Sequence, residues 1–195
     1  MTVQPPTQAR LSTQLPDALF AQYTTATPAL SAADKLEIIE KLHLLELIFD
    51  TRRYDVMNAI LTEDFVFDHG LAKRLDRDSF KQLWQENAPI LLDGIRHQLN
   101  NVLVYGNPDG TATAVAYLNV LKFAMAPDTE TIDTPHLLAH AVQVVQLRQE
   151  NDVWKLVSLT IDQMAVSDLF GLDKATQHYF AALAGDRDQL RQPLF

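Results

Sequence analysis

Residues 96–105 read Arg96-His97-Gln98-Leu99-Asn100-Asn101-Val102-Leu103-Val104-Tyr105, a run typical of a β-strand. Successive side chains of a strand point to opposite faces, so His97 is predicted to share a face with Leu99, Asn101, Leu103 and Tyr105. An imidazole on such a face is either a core histidine satisfied by a backbone carbonyl or a general base directed into a cavity. The stretch alone leaves both interpretations open.

A turn follows this strand at Asn107-Pro108-Asp109-Gly110, where proline presets φ and glycine permits a positive φ. It predicts a hairpin between the His97 strand and a second strand at residues 111–123. Two more strands are predicted at 137–149 and 153–162, around a turn at 150–152. The four long strands indicate an antiparallel meander.

Upstream of the strands, apolar residues recur at helical spacing. The first predicted helix begins after an N-cap at Ser31 and ends at Asp50. Its predicted inward side chains are Leu36, Ile39, Leu42, Leu45 and Phe49. Two further helices are predicted at 54–61 and 76–87, with a short strand at 65–67 between them. Helices gathered before a meander predict an α+β fold, a cone-shaped roll in which the N-terminal helices pack in a curved, mostly antiparallel sheet.

Length and composition limit the classes of protein. The chain has 195 residues, 47% of them hydrophobic and 21% charged, which is typical of one globular domain. A net charge of −9 with scattered basic residues disfavours nucleic-acid binding. The absence of cysteine excludes disulfides and thiol catalysis. Neither a signal-peptide run nor a membrane span is found in the sequence, so the expected location is the cytoplasm, without membrane association.

The two ends of the chain differ from its middle. Residues 1–30 contain four of the nine prolines and are predicted to form an extended arm. Residues 31–170 are predicted to form the domain. Residues 171–195 are predicted to be a tail that covers a pocket or a neighbouring subunit, and Phe170, just before this tail, is a candidate pocket residue.

Asp50 is the candidate partner for His97. A carboxylate at the end of a helix is disfavoured by the helix dipole, so its presence needs a reason. It is either a solvated turn residue beside Arg52 and Arg53, or an acid that points inward and orients an imidazole. Glu46 and His43 are assigned to a solvated strip of the same helix.

Two amides interrupt apolar rows of the predicted sheet. Asn119 lies in the row with Val115 and Tyr117, and Gln143 lies in a row of the next strand. Buried amides need partners, which either a substrate or a cross-strand amide pair can supply. By alternation, His140 is assigned to the outer face, where it and its neighbours suit a subunit interface. We therefore expect a homo-oligomer, either a dimer or a trimer.

Sequence motifs for metals and cofactors are absent. There is no His-x-His, no His-Glu-x-x-His, no glycine-rich phosphate loop and no Gly-x-Ser-x-Gly, and the adjacent Asp68 and His69 lack a third ligand nearby. The sequence predicts neither a metal nor a cofactor.

Four segments in order resemble the SnoaL-like branch of the nuclear transport factor 2-like superfamily, over roughly residues 34–170. They are Leu47-Ile48-Phe49-Asp50-Thr51-Arg52-Arg53-Tyr54-Asp55, Leu61-Thr62-Glu63-Asp64-Phe65-Val66-Phe67-Asp68-His69-Gly70, Arg96-His97-Gln98-Leu99-Asn100-Asn101-Val102 and Asn151-Asp152-Val153-Trp154-Lys155-Leu156. Within that branch they look most like the scytalone dehydratase group, whose fold is the same cone.

The resemblance implies roles for particular residues. Enzymes of that group use an Asp-His dyad without a cofactor, which falls on Asp50 and His97. Pocket tyrosines of the group correspond to His69 and Phe49, and a substrate-binding asparagine corresponds to Gln143. A second pocket histidine of the group falls near Lys122, a different kind of group, which leaves the reaction open.

The leading prediction is a cofactor-independent lyase that eliminates water from a small hydrophobic, cyclic or polyketide-like substrate. Asp50 and His97 would be catalytic. The predicted substrate-binding residues are His69, Phe49, Asn119, Gln143, Trp84 and Phe170. The alternatives are an isomerase or cyclase that uses the same pocket, and a non-catalytic ligand-binding or scaffolding protein.

Overall fold

The fold is an α+β arrangement in which two helices pack on a curved, open sheet, as the sequence predicts. The computed structural model describes residues 30–69, 72–91, 94–123 and 135–166. Its helices are α1 (Ala32–Thr51) and α2 (Arg77–Leu91), with a 3₁₀ helix at Tyr54–Ala59. Its strands are β1 (Leu61–His69), β2 (Ala72–Asp76), β3 (Ile95–Gly106), β4 (Ala112–Lys122), β5 (His136–Glu150) and β6 (Val153–Val166).

The six strands form one sheet in the order β2-β1-β6-β5-β4-β3. Strands β3 to β6 are the predicted antiparallel meander, while β1 pairs in parallel with β6. Strand β2, which pairs with β1, is not predicted from the sequence. Among the described strands β3 lies at an edge, so one side of its backbone has no strand partner in that part of the chain.

Helix α1 begins and ends where its sequence predicts. The backbone N–H of Asp34 donates to the hydroxyl of the N-cap Ser31, 3.0 Å away. At the other end Arg52 takes the left-handed conformation, and the N–H of Arg53 donates to the carbonyl of Ile48. Asp50 therefore lies in the last turn of the helix.

The core lies between α1, α2 and one face of the sheet. Helix α1 contributes Ile38, Leu42, Leu45, Ile48 and Phe49 to it, all at most 3% exposed. Leu36, predicted to point inward, is 59% exposed. The buried face of α1 thus runs through 38, 42, 45 and 49, and 36 falls on the opposite side.

Two local features set where β3 begins and which of its side chains point inward. Gly94 has φ +68°, and its carbonyl accepts from the N–H of Phe123 at 2.8 Å, which ties the start of β3 to the end of β4. Further along, Asn101 has φ +53° within an irregularity of the β3–β4 pairing. Beyond it Val102 packs on the core and Leu103 is 37% exposed, which reverses the predicted alternation.

Candidate functional site

Asp50 and His97 meet at the free edge of β3. The carboxylate oxygen Oδ1 of Asp50 lies 2.8 Å from Nδ1 of His97. The backbone N–H of His97 also donates to Oδ1 and Oδ2, at 3.1 and 3.2 Å. Because β3 is an edge strand, this N–H points away from β4, and Asp50 supplies the acceptor that a further strand would otherwise provide.

The imidazole of His97 is held in one orientation and one tautomer. Only 7% of its side chain and 6% of that of Asp50 are exposed. A carboxylate can only accept, so Nδ1 carries the hydrogen, and Nε2 of the neutral ring keeps its lone pair. Nε2 makes no hydrogen bond to any residue that the structure describes. This arrangement can accept a proton at Nε2 and stabilise the resulting imidazolium through Asp50.

Aromatic rings surround the imidazole. The rings of Phe49 and Trp84 lie 5.9 and 6.3 Å from it, measured between centroids, and 4.5 Å from each other. Phe80 packs behind both. Phe49 and Trp84, two predicted substrate-binding residues, therefore lie next to His97. The indole N–H of Trp84 is buried without a partner in the described part of the chain.

Glu46 is the residue of this region that sequence reasoning missed. It was assigned to a solvated strip, but it is only 4% exposed, whereas its neighbour His43 is exposed. Glu46 precedes Asp50 by four residues, so the two carboxyl groups lie on adjacent turns of one helix face. The buried positions 42, 45 and 49 already place 46 beside the core, and this spacing was the available signal.

Burial raises the pKa of Glu46 to about 7. Loss of hydration is the largest cause, and the negative charge of Asp50 acts in the same direction. His97 and the amide of Gln143 act in the opposite direction and lower the pKa. A carboxyl group that titrates near neutral pH can act as an acid or as a base.

Gln143 projects from the middle of β5 into the interior, as predicted. It is fully buried, and its strand neighbours are Ala116 on β4 and Ile161 on β6. The amide is near enough to Glu46 to influence its pKa, but neither its oxygen nor its nitrogen completes a hydrogen bond of normal geometry with a described residue. The amide therefore has unused donors and acceptors in the core, which is costly without a further partner.

Asn119 does not join this group, and a role for it in substrate binding stays a prediction. Asn119 is the cross-strand partner of His140, and its Oδ1 lies 2.7 Å from Nδ1 of His140. Directly paired residues share a face of the sheet, so Asn119 lies with His140 on the opposite side from Gln143. Val115, Tyr117, Val142 and Val144 form a separate apolar cluster on that side.

The other predicted residues lie at the margins. His69 ends β1, where its backbone pairs with Ala72 and Ile161, and its side chain is outside the described part. Phe170, most of the predicted arm at 1–30 and the tail at 171–195 also lie outside the described residues. Lys122, which stands near the position of a family histidine, is exposed at the end of β4.

No group of three or more histidine or acidic side chains in the described ranges could hold a metal ion. No helix among the same residues is both long and apolar enough to cross a membrane.

The chain belongs to the SnoaL-like domain family, whose pattern it matches over residues 31–160. This places it in the nuclear transport factor 2-like superfamily, as the sequence resemblance predicted. No curated protein sequence matched the chain.

Solved structures share the fold. A protein of unknown function with a cystatin-like fold from Nostoc punctiforme is 25% identical, with a TM-score of 0.56 over 68% of this chain and 92% of that one. Aln2 from a Streptomyces species is 17% identical, with a TM-score of 0.59 over 72% and 95%. A nuclear transport factor 2-like protein from Novosphingobium aromaticivorans is 18% identical, with a TM-score of 0.57 over 75% and 88%. The proteins from Nostoc punctiforme and Novosphingobium aromaticivorans have a cystatin-like fold, and the present chain shares it.

Proposed function

We propose that the chain is a cofactor-independent lyase that eliminates water from a small hydrophobic substrate in which the leaving hydroxyl lies β to a carbonyl group. The observation that carries the proposal is the buried hydrogen bond of 2.8 Å between Asp50 and Nδ1 of His97. This bond fixes the orientation of the His97 imidazole, and the second bond, from the backbone N–H of His97 to Asp50, fixes the part of β3 that carries it. Membership of the SnoaL-like family supports small-molecule binding.

His97 is the base in the proposed reaction. Its Nε2 takes the proton from the carbon next to the carbonyl, the C–H electron pair forms the new double bond, and the C–O bond breaks. The leaving oxygen takes one proton from an acidic group or from solvent and departs as water. Asp50 keeps the ring oriented and balances the imidazolium charge. A positioned base of this kind contributes roughly 10²- to 10⁴-fold to the rate.

The surroundings of His97 favour an apolar substrate with a few oxygen atoms. Phe49 and Trp84 offer flat apolar surfaces beside the imidazole. The buried amide of Gln143 and the indole N–H of Trp84 can donate to substrate oxygens, because no described residue takes their hydrogens. A mostly apolar lining with a few convergent polar groups is typical of small-molecule sites. Cyclic and polyketide-like ketones are substrates of this kind, since they are largely apolar and carry a few oxygen atoms.

Proton abstraction can be tested with a ketone that has no leaving group. Benzylacetone in D₂O exchanges the hydrogens next to its carbonyl when a base removes them, and NMR follows the exchange. The wild-type protein should accelerate exchange, and His97→Gln should lose the acceleration. Elimination from 4-hydroxy-4-phenylbutan-2-one should release benzylideneacetone, which absorbs in the ultraviolet.

The same experiment separates the alternatives. Exchange without elimination, together with a rearranged product, would favour an isomerase or cyclase. If these ketones raised the melting temperature but underwent neither exchange nor elimination, the lyase proposal would be wrong and ligand binding would explain the site.

A further inference from the structure

Glu46 is a buried acid that the proposed role of the Asp50–His97 pair leaves unexplained. It is 4% exposed and stands one helical turn before Asp50 on α1. The ionisable groups that act on it are His97, on β3, and Asp50, on its own helix, while the neutral amide of Gln143 faces it from β5. Glu46 thus shares its surroundings with the proposed base and with the buried amide.

A purely structural role does not account for this placement. A buried carboxyl normally pairs with a cation or completes hydrogen bonds with neighbouring donors. Here the neighbour whose charge favours the carboxylate of Glu46 is His97, but Nδ1 of His97 is already bonded to Asp50, and the charge of Asp50 disfavours a second carboxylate. Gln143 completes no hydrogen bond of normal geometry with Glu46 or with any other described residue. Leucine or glutamine at position 46 would avoid the loss of hydration that burial imposes on a carboxylate.

We propose that Glu46 is the general acid of the elimination, which protonates the leaving hydroxyl while His97 removes the proton from carbon. This inference rests on the proposed lyase function and assigns the second half of that reaction. The geometry carries it, because the acid and the base lie in one buried group formed by α1, β3 and β5. Hydroxide is a poor leaving group, so elimination of water benefits from an acid beside the oxygen.

The protonation states agree with these two roles. The pKa of Glu46 is raised to about 7, mainly by burial and to a lesser degree by the charge of Asp50, so a large fraction of the group carries its proton near neutral pH. Asp50 meanwhile accepts two hydrogens from His97 as a carboxylate does. The two carboxyl groups, four residues apart, thus differ in their surroundings: Asp50 is bonded to His97, and Glu46 is buried with no cation among the described residues bonded to it.

The step balances in atoms and charge. Nε2 of His97 gains the proton from carbon, the C–H pair becomes the double bond, and the C–O bond breaks. The leaving oxygen takes the proton of Glu46 and departs as water. Glu46 is then a carboxylate and His97 an imidazolium, and transfer of one proton from His97 to Glu46, directly or through the released water, restores the starting state.

Three compounds with the same carbon skeleton distinguish the role of Glu46 as acid from the role of His97 as base. Benzylacetone reports proton abstraction alone, its 4-hydroxy derivative needs both groups, and its 4-acetoxy derivative loses acetate, which needs no proton to leave. Glu46→Gln should lower elimination of water by about 100-fold or more, and elimination of acetate by less than about 10-fold. The exchange rate of benzylacetone should stay within about threefold of wild type, which also shows that the variant folds.

Two further variants complete the design. His97→Gln should lower all three rates, and Glu40→Gln, at an exposed position of α1, should lower none. A merely structural role for Glu46 would lower all three rates of Glu46→Gln together, without regard to the leaving group.

The outcomes are distinct. If Glu46→Gln eliminates water as fast as wild type, the acid role is wrong and the lyase proposal stands. If the wild-type protein neither exchanges nor eliminates any of the three compounds, the lyase proposal fails and the acid role fails with it. Should Glu46→Gln not fold, the wild-type rates of elimination from the 4-hydroxy and 4-acetoxy compounds test the acid role. Similar rates for the two compounds are expected if an acid assists the leaving hydroxyl. Much faster loss of acetate than of water would contradict the acid role.

Discussion

Asp50 binds His97 twice, through the imidazole Nδ1 and through the backbone N–H. The side-chain bond fixes the tautomer of the ring, and the backbone bond fixes the strand that carries it. The last turn of α1 is thereby joined to the free edge of β3. The same carboxylate thus stabilises the fold and orients the proposed base, so its removal has two measurable effects.

Asp50→Ala should destabilise the protein by about 2–3 kcal/mol, because it leaves the N–H and Nδ1–H of His97 without their acceptor. Asp50→Asn should cost less, since an amide oxygen can still accept one of these hydrogens. Urea denaturation measures both. Asp55→Ala is the matched control, because its exposed ion pair with Arg53 should contribute at most about 0.5 kcal/mol. Equal losses for Asp50→Ala and Asp55→Ala would show that the carboxylate of Asp50 does not tie α1 to β3.

Gly94→Ala should destabilise the start of β3 by at least about 2 kcal/mol. The residue has φ +68°, and an added Cβ would lie 2.7 Å from the carbonyl oxygen of Phe123, a backbone atom that cannot turn aside. Gly110→Ala is the comparison, because that glycine has φ +85° but nothing within 4 Å of an added Cβ. It should lose only about 1 kcal/mol from conformational strain.

Urea denaturation gives the loss of stability in each glycine variant. The difference between the two losses measures the steric contribution of the contact with Phe123, because both variants carry the conformational strain. Because Gly94 stands three residues before His97, Gly94→Ala should also slow the exchange of benzylacetone, while Gly110→Ala should not. Equal stability losses in the two variants would show that the approach of Gly94 to Phe123 is not needed.

Glu46→Gln should change how stability depends on pH. The pKa of Glu46 is raised from 4.5 to about 7 in the folded protein. Below pH 4.5 both states hold the proton, and the stabilising contribution is fully present. As the pH rises from 4.5 to about 7, the unfolded chain releases the proton first, so stability is lost, by about 3 kcal/mol in total.

Glutamine does not titrate, so the stability of Glu46→Gln should exceed that of wild type increasingly from pH 4.5 to about 7 and by a constant amount above it. Melting temperatures at a series of pH values measure this difference. Glu40→Gln, at an exposed position, controls for the loss of one carboxyl group from α1. A difference that stays constant between pH 4.5 and 8 would contradict a protonated, buried Glu46.

Much of the architecture is predictable from the sequence because it depends on local signals. Ser31, the turn at 107–110 and the period of the apolar residues predict α1, the hairpin and the meander. Strand β2 is short and depends on pairing with β1, so no local sequence pattern predicts it. The alternation of inward and outward side chains along β3 reverses beyond Asn101 because Asn101 has a positive φ. The sequence does not predict a positive φ at a residue other than glycine.

The site is predictable only where alternation within one element suffices. The burial of Gln143 follows from alternation along β5. The contact between Asp50 and His97 follows from the inward faces of α1 and β3. The face on which Asn119 lies depends on the cross-strand register, which its pairing with His140 shows, so alternation within β4 alone does not place it. Glu46 is not predicted as buried because acids are rarely buried, so its residue type and its helical position point in opposite directions.

Gln143→Met should stabilise the protein in the absence of ligand by about 1 kcal/mol, because methionine has nearly the same shape and carries no amide that lacks hydrogen-bond partners. Gln146→Met, on the same strand but at an exposed position, should not stabilise it. The amide of Gln143 lowers the pKa of Glu46, so its removal should also move the pH dependence of stability to higher pH. Urea denaturation between pH 4.5 and 9 measures both effects. A destabilised Gln143→Met with an unchanged pH dependence would show that the amide is satisfied within the fold and does not act on Glu46, which would remove it from the proposed site.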